Sequence, residues 1–435
     1  RGRLRGGVVR LSPPILPGTD RRRLWALIPG DLDTPTGGYR YDRRILAGLA
    51  DLGWRLELCS LDPSFPAPTP AARSQARQVL AAIPDGGLVL VDGLAFGALP
   101  ELAEAEGRRL RLVALVHHPL ALETGLAPER AASLRDAEVR ALAQTRLILV
   151  TSPFTATLLT GWRVPRGRLR VVAPGTDPAP IAQGSGSGPL RLLCVASLTP
   201  RKGHDLLLQA LAGLRDRSWH LDCVGSLDRD PAWAEGLIRR RDVLGLAGRV
   251  SLLGALGDEE LAGRYGAADL FVLPSRFEGY GMVFAEALVR GLPILASRAG
   301  AVGATVPPEA GLLVPADDPA ALGQALGQLM ADPALRRRLA QGARAAGLGL
   351  PTWREAVAAF CAALEEVLEE ADRESQEVSI QPPRPPGLSS LAQAYDSPAP
   401  SPLAGEAWGE GSERLPPEKT RRLLENAVPE AALDE

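Results

Sequence analysis

Residues 270–290 read LFVLPSRFEGYGMVFAEALVR and contain a strand, a glycine-rich turn and a helix, in that order. The run from Leu270 to Leu273 is apolar and has the length of a buried strand. Gly279 and Gly281 allow a tight turn and let the backbone come close to a ligand. The helix predicted at 280–290 would direct its unpaired N–H groups and the positive end of its dipole at an anion. The stretch therefore predicts an anion site at the end of a parallel strand.

Similar strand and helix patterns precede and follow this stretch. In the first half of the chain we predict a helix at 39–52 and strands at 24–28, 55–60, 88–91, 110–116 and 147–151. In the second half we predict helices at 204–215, 280–290 and 319–331 and strands at 190–196, 219–224, 249–253, 270–273 and 293–297. Short strands that are apolar on both faces and alternate with helices indicate parallel sheets covered by helices. The fold class predicted is therefore α/β, with two Rossmann-like, doubly wound domains that face each other across a cleft.

Changes of composition mark the predicted domain boundaries. The start of the chain is basic and rich in Gly and Pro, GSGSG lies at 184–188, and the end of the chain is rich in Pro without a sustained period. Gly/Ser-rich segments behave as linkers, and Pro-rich polar segments bury too little apolar surface to fold. We therefore expect six parts: a flexible segment 1–22, an N-terminal Rossmann-like domain 23–177, a linker 178–189, a C-terminal Rossmann-like domain 190–349, a helix 350–371 and a disordered tail 372–435.

Composition excludes several classes of protein. The 435 residues have a formal net charge of −2 and only 4% aromatic residues, whereas a nucleic-acid binder is basic and uses aromatic side chains for stacking. The four cysteines are widely spaced and form no CxxC pair, which fits a reducing compartment. No apolar run reaches the roughly 18 residues of a membrane-spanning helix. We expect a cytoplasmic protein whose contact with the inner membrane face, if it has any, is peripheral.

Two carboxylates flank the glycine turn at a spacing that suits a nucleotide sugar. Glu278 comes just before the turn, and Glu286 lies two helical turns further on. A carboxylate can accept two hydroxyls at once, so this pair could hold the two sugars at either end of a diphosphate.

A basic pair follows another predicted strand. Arg201 and Lys202 lie in LTPRKGHD, and Lys202 is the only lysine before Lys419 in a chain that otherwise uses arginine. Two adjacent cations at a strand end could neutralise a leaving diphosphate. Gly37 and Gly38 form a second glycine turn after the first predicted strand and before a helix, which makes a second anion site.

Two of the four histidines, His117 and His118, are adjacent at the end of a predicted strand. Because neighbours along a strand point to opposite faces, we expect His117 to be the one that faces the cleft.

No metal or cofactor site is expected. Two DxD pairs, Asp31/Asp33 and Asp228/Asp230, have no nearby histidine or third carboxylate. The chain contains no GxGxxG after a strand and no GxxxxGK[ST], so neither a nicotinamide site nor a P-loop is indicated.

Together these motifs resemble glycosyltransferase family 4, a retaining family with the GT-B fold. The resemblance covers about residues 23–371 and includes the Thr36-Gly37-Gly38 loop, VHHPLALETG at 116–125, VVAPGTD at 171–177, Arg201-Lys202-Gly203, the Glu278-x7-Glu286 pair and GLLVP at 311–315. It implies that the N-terminal domain 23–177 binds the acceptor and that the C-terminal domain 190–349 binds the nucleotide sugar. It also implies a helix that crosses back to the N-terminal domain, as 350–371 would.

The resemblance also implies roles for individual residues. Arg201 and Lys202 would contact the donor diphosphate, Glu278 the donor sugar and Glu286 the nucleotide ribose. The catalytic residues implied are Arg201, Lys202, Glu278 and His117. The donor-binding residues implied are Gly37, Gly38, His118, Gly225, Gly279, Tyr280, Gly281, Met282, Val283 and Glu286.

The function expected from this resemblance is transfer of a hexosyl unit from a UDP- or GDP-sugar to a hydroxyl of a glycan or lipid-linked acceptor, with retention, as in polysaccharide biosynthesis. Two alternatives remain open at this stage. One is a nucleotide-sugar epimerase of related fold, and the other is a non-catalytic subunit that binds a nucleotide sugar.

Overall fold

Two open sheets form the framework of the described part of the chain, which is residues 9–10 and 19–380 of the computed structural model. The first sheet contains β1 (Val9–Arg10), β2 (Arg23–Pro29), β3 (Arg55–Leu61), β4 (Leu88–Asp92), β5 (Arg111–Val116), β6 (Leu147–Val150) and β7 (Leu169–Val171). The second contains β8 (Leu190–Val195), β9 (Trp219–Val224), β10 (Val250–Leu252), β11 (Leu270–Leu273), β12 (Ile294–Ser297) and β13 (Gly311–Val314).

Helices follow most strands and cover the sheets. The helices up to β7 are α1 (Gly37–Asp51), α2 (Pro70–Ala81), α3 (Gly93–Phe96), α4 (Pro100–Glu106), α5 (Pro128–Leu142) and α6 (Pro153–Gly161). Those after β8 are α7 (His204–Ala212), α8 (Pro231–Val243), α9 (Asp258–Ala267), α10 (Met282–Val289), α11 (Val302–Thr305), α12 (Pro319–Ala331), α13 (Pro333–Leu348) and α14 (Trp353–Ile380). Several begin with proline just after a Thr, Ser or Asp whose side chain caps the first turn, as at Thr69, Ser152, Asp230, Asp318 and Asp332.

The strand order of each sheet reverses next to its first long strand. The first sheet runs β1-β3-β2-β4-β5-β6-β7 and is parallel except for the antiparallel pair β1–β3. The second runs β10-β9-β8-β11-β12-β13, and its strands are all parallel. Ligands of such sheets bind beyond the carboxyl ends of the strands at the point of reversal. In the second sheet the reversal lies between β8 and β11, which pair in parallel, so the loops that follow them lie side by side. These loops contain Arg201 and Glu278.

The long helix α14 packs on the first sheet together with α1. Its apolar residues share a buried cluster with the side chains of α1 and the neighbouring strands. The Trp54 indole N–H donates to Cys361 Sγ at 3.3 Å, and a methyl carbon added at Gly48 would lie 2.4 Å from Val357. The chain thus covers one face of its first sheet with residues that come after its second sheet.

Three segments differ from the sequence expectations. Within the segment 1–22 that we expected to be flexible, Val9 and Arg10 pair with β3. Within the linker 178–189, the Ser185 N–H donates to Asp269 Oδ1 at 3.0 Å and the Gln183 N–H to the Gly266 carbonyl at 2.8 Å, so this loop is attached to the second domain.

The helix expected at 350–371 continues to Ile380. The apolar period ends near 371, but neither Pro nor Gly occurs before Pro382, so nothing in the local sequence stops the helix. The remainder of the tail predicted at 372–435, from residue 381 on, lies outside the described residues, as do residues 1–8 and 11–18 of the first segment.

Candidate functional site

A cleft of about 390 Å³ lies at the carboxyl ends of both sheets. Its volume is in the range of small-molecule sites. The first sheet contributes the loops after β2, β4 and β5, and the second contributes the loops after β8, β9 and β11. Of the site residues predicted from the sequence, it is lined by Gly37, Gly38, His117, His118, Arg201, Lys202, Gly225, Glu278, Gly279, Tyr280, Gly281, Met282 and Val283.

A buried ion pair forms the centre of the cleft. Lys202 Nζ donates to Glu278 Oε1 at 2.6 Å, and the Ser275 hydroxyl donates to the same oxygen at 2.6 Å. Arg201 Nη1 lies 3.9 Å from Glu278 Oε2 and donates to the Phe277 carbonyl at 3.1 Å. Two cations thus surround one carboxylate whose side chain is 6% exposed. Arg201 Nε also lies 3.4 Å from Oε1 of Glu123, whose side chain is 49% exposed. An anionic ligand that displaced this exposed carboxylate would meet both cations.

The surroundings favour the charged form of Glu278 and oppose the charged form of Lys202. Burial alone would raise the pKa of Glu278, but the charges of Lys202 and Arg201 outweigh it, so the pKa of Glu278 falls below its ordinary value. Burial and the charge of Arg201 lower the pKa of Lys202, and the charge of Glu278 opposes this lowering. An anionic ligand would raise the pKa of Lys202.

Two glycines shape the loop between β11 and α10. A methyl carbon added at Gly279 would lie 2.0 Å from the His117 carbonyl oxygen, so only glycine lets this loop meet the end of β5. Gly281 has φ +83° and precedes α10 without a capping side chain. In the first turn of α10 the Phe284 N–H donates to the Gly281 carbonyl at 2.9 Å, which leaves the N–H groups of Met282 and Val283 for a ligand.

Glu286 lies in an adjoining cavity of about 240 Å³ that shares Leu261, Tyr280 and Met282 with the cleft. The Tyr265 hydroxyl donates to Glu286 Oε2 at 3.0 Å, and Arg40 of α1 forms an ion pair with Oε1. Glu278 and Glu286, the two carboxylates predicted to flank a diphosphate, thus lie in adjoining cavities. A ligand hydroxyl that binds the Glu286 carboxylate must do so beside Arg40, which already forms an ion pair with it.

The expectation that only His117 faces the cleft is wrong, since both histidines line it. The strand β5 ends at Val116, so the alternation of side chains no longer applies at 117 and 118. His117 Nε2 lies 2.8 Å from Asp42 Oδ1 and 3.9 Å from Asp92 Oδ2. His118 packs its ring edge-on against Phe277, and neither of its buried ring nitrogens has a hydrogen-bond partner.

The sequence analysis missed Asp42 and Asp92, the buried partners of His117. Asp42 is 2% exposed on the face of α1 that also buries Tyr41 and Ile45. Asp92 is 3% exposed at the end of the apolar strand β4. The signal that could have revealed both is a single Asp on the apolar face of a helix or at the end of an apolar strand. An aspartate is rarely buried without a partner, so such a position indicates a paired side chain.

Two groups of side chains bring metal-ligating atoms within 4.8 Å of one another in the described part of the chain. They are Asp42, Asp92 and His117 at the cleft, and Cys194, Cys223 and His204 below the loop after β8. Neither DxD pair belongs to these groups. In the second group Cys194 Sγ lies 3.6 Å from His204 Nε2, a contact that ties β8 to the start of α7.

A buried acid supports the loop that follows His118. Glu138 of α5 is 1% exposed, and its Oε2 accepts from the Leu120 N–H at 3.1 Å. Burial raises the pKa of Glu138 from 4.5 to about 8. Between about pH 4.5 and pH 8 the native state therefore keeps a proton that the unfolded chain releases. The free energy of unfolding falls as the pH rises through this range.

Glu138→Gln should remove that pH dependence. Glutamine resembles the neutral acid, so the melting temperature of the variant should exceed that of the wild type by a margin that grows from about pH 5 to pH 8. Thermal unfolding at several pH values measures the margin, and Glu129→Gln, at an exposed position of the same helix, is the control. A margin that is constant with pH would contradict the prediction.

The comparison with known proteins agrees with this geometry. Residues 189–332, which contain the basic pair and both carboxylates, match the family described as glycosyl transferases group 1. These residues form a domain of the group 1 glycosyltransferase family. Among curated relatives, the chain is 32% identical over 274 residues to the MMP alpha-(1->4)-mannosyltransferase of Mycolicibacterium hassiacum, which covers 59% of this chain and 66% of the relative. It is 33% identical over 210 residues to the GDP-mannose-dependent alpha-(1-6)-phosphatidylinositol monomannoside mannosyltransferase of Mycolicibacterium smegmatis, which covers 44% of this chain and 54% of the relative.

The matched regions thus span roughly one half to two thirds of these relatives. Among solved structures, sucrose-phosphate synthase from Thermosynechococcus elongatus superposes with a TM-score of 0.64 at 23% identity, over 82% of this chain and 99% of that protein. The similarity of the folds confirms the predicted GT-B arrangement of two Rossmann-like domains. None of the helices in the described part of the chain is both long enough and apolar enough to cross a bilayer.

Proposed function

We propose that this chain transfers a hexosyl unit from a UDP- or GDP-sugar to a hydroxyl of a glycan or lipid-linked acceptor, with retention at the anomeric carbon. The observation that carries the proposal is the arrangement of Arg201, Lys202 and the uncapped start of α10 around the buried Glu278. A diphosphate fits this arrangement, because its negative charge meets two cations and free N–H groups. The names of the relatives favour the same class of donor and include a lipid acceptor.

In the proposed reaction the bond between the anomeric carbon and the diphosphate oxygen breaks, and negative charge grows on the leaving group. Arg201, Lys202 and the first N–H groups of α10 stabilise that charge. The acceptor oxygen bonds to the anomeric carbon on the same face, and its proton passes to the departing phosphate oxygen. Glu278 would hold hydroxyls of the transferred sugar, and closure of the cleft would exclude water.

We place the acceptor against the loops of the first domain and propose a cytoplasmic location with at most peripheral contact with the inner membrane face. The four cysteines are free and buried, which suits a reducing compartment.

A thermal-shift series tests the donor. UDP or GDP should raise the melting temperature, since a ligand at about 100 times its Kd stabilises the native state by roughly 2.7 kcal/mol. The matching monophosphates should raise it less, because they lack the second phosphate that the two cations meet. Equal shifts with mono- and diphosphates, or no shift with any nucleotide, would contradict the proposed site.

Analysis of products then separates the proposed function from its alternatives. The nucleotide sugar that binds is incubated with candidate acceptors. A new glycosidic bond supports transfer, an isomerised donor supports the epimerase, and binding without any turnover across a broad acceptor panel supports the non-catalytic subunit.

A further inference from the structure

The two adjacent cleft histidines have opposite electrostatic surroundings. His117 points Nε2 at the carboxylates of Asp42 and Asp92, both nearly fully buried. The other groups around His117 are uncharged: Tyr41 lies edge-on with ring centroids 5.2 Å apart, and Gly38 and Gly279 present backbone. His118 instead faces the basic pair, and the nearest carboxylate oxygen, Glu123 Oε2, is 3.7 Å from its Nε2.

Among the described residues, His117 is the one cation-forming side chain within ion-pair distance of the carboxyl pair Asp42 and Asp92. A cavity of about 10 Å³ next to Asp42 and Asp92 is otherwise lined by aliphatic side chains. Asp42 Oδ2 has no hydrogen-bond partner in the described structure. In the same part of the chain, Asp92 accepts one hydrogen bond, from the Leu94 N–H at 2.8 Å. Two buried charges beside a neutral imidazole would be costly to hold. The cluster becomes neutral overall when the imidazole is protonated and one carboxyl keeps a proton.

We propose that His117 is an imidazolium at neutral pH, with Asp42 as its counter-ion and Asp92 as the carboxyl that retains a proton, while His118 is neutral. Nε2–H is directed at Asp42, so Nδ1–H remains to donate to an oxygen of the ligand in the cleft. His117 is then a charged hydrogen-bond donor and not a general base, and Asp42 and Asp92 are positioning residues. His118 offers the ligand an uncharged ring.

The direction of the pKa shifts supports this assignment. Burial lowers the pKa of His117, but the charge and hydrogen bond of Asp42, with Asp92, outweigh it and raise the pKa above the ordinary value. Burial and the charge of Asp42 raise the pKa of Asp92 to about 7, against the effect of His117. Burial, and to a smaller extent the charge of Arg201, lowers the pKa of His118 to about 3.

Nitrogen-15 NMR of the histidines tests the assignment on the whole chain without any ligand. The chain contains only four histidines, at 117, 118, 204 and 220, so His117→Gln and His118→Gln assign the two signals. At about pH 7.5, where an ordinary histidine is mostly neutral, His117 should show two protonated nitrogens and His118 one. A neutral His117 in the wild type would overturn the proposal.

Two matched variants separate the carboxyls. Asp42→Asn should bring the His117 titration midpoint below the ordinary histidine value, because the counter-ion is lost. Asp92→Asn should leave the His117 titration midpoint above the ordinary histidine value, because asparagine resembles the carboxyl that holds a proton up to about neutral pH. Equal effects of the two variants on the His117 titration would overturn the assignment. Retention of the His204 and His220 signals shows in each case that the variant is folded.

The statement that His117 donates to a ligand rests on the proposed function. The charge assignment and the proposed function can fail separately. Nucleotide-sugar turnover should decline at alkaline pH with the midpoint at which His117 loses its proton in the presence of donor. If NMR shows the imidazolium and no nucleotide binds, the proposed function fails and the charge assignment stands. If nucleotide binds and turns over with no alkaline decline, the role of His117 as a charged donor fails alone.

Discussion

Lys202→Gln should lower kcat/KM for sugar transfer by roughly 10²- to 10³-fold, the range seen when one donor to a developing anion is removed. Lys202 lies in the cleft beside Arg201, and its ammonium is 2.6 Å from Glu278 Oε1. Glutamine still offers an N–H to that carboxylate but has no charge for a leaving diphosphate. The loss should therefore fall mainly on kcat, since the charge grows in the transition state.

Steady-state kinetics with the nucleotide sugar found in the thermal-shift series measures this effect. Lys202→Ala should add a loss of stability, because Glu278 keeps only the Ser275 hydroxyl and the more distant Arg201. The loss should stay below the roughly 3–5 kcal/mol of a buried charge that loses its partner entirely. Arg239→Gln, in an exposed pair with Glu235 on α8, is the control for charge removal and should keep the wild-type rate. A Lys202→Gln enzyme with wild-type kcat would show that the donor phosphates lie elsewhere.

Glu286→Ala should weaken nucleotide binding by roughly 10- to 100-fold, which corresponds to the 1.5–3 kcal/mol of a hydrogen bond to a charged group. Its two oxygens are oriented by Tyr265 and Arg40 in the cavity that adjoins the cleft, and the side chain is only 14% exposed. Because Glu286 is remote from the bond that breaks, kcat at saturating donor should change only a few-fold.

Isothermal titration with the nucleoside diphosphate measures the affinity. Tyr265→Phe is the matched variant: it keeps the carboxylate but removes the hydroxyl that orients it, so its effect should be smaller and of the same sign. An unchanged Kd in Glu286→Ala would place the ribose outside this cavity.

The sequence predicts the framework of this protein because the signals for strands and helices are local. The apolar runs at 24–28 and 270–273 and the proline starts of helices such as α12 are visible without any tertiary information. The strands β7 and β13 were not predicted as strands, because β7 has Arg170 at its centre and β13 begins at Gly311, so neither is an uninterrupted apolar run like 270–273.

The candidate site could be assembled only in part from the sequence. The positions of Arg201, Lys202 and Glu278 follow from loops at strand ends, which the order of the sheet brings together. Contacts between distant segments do not follow: nothing near Glu286 indicates that Arg40, 246 residues away, pairs with it. Likewise His117 gains its charge partner from α1, and a pattern read along one strand cannot show that.

The return of α14 to the first sheet also has a consequence for biosynthesis. The face formed by Tyr41, Trp54 and their neighbours is covered by Val357, Phe360 and Leu364, which are translated about 190 residues after the first sheet ends at residue 171. At about 5–20 residues per second, the nascent chain exposes this apolar face for roughly 10–40 s. The amino-terminal half therefore completes its native packing only after α14 has been translated, and its yield in cells should depend on chaperones that shield nascent chains.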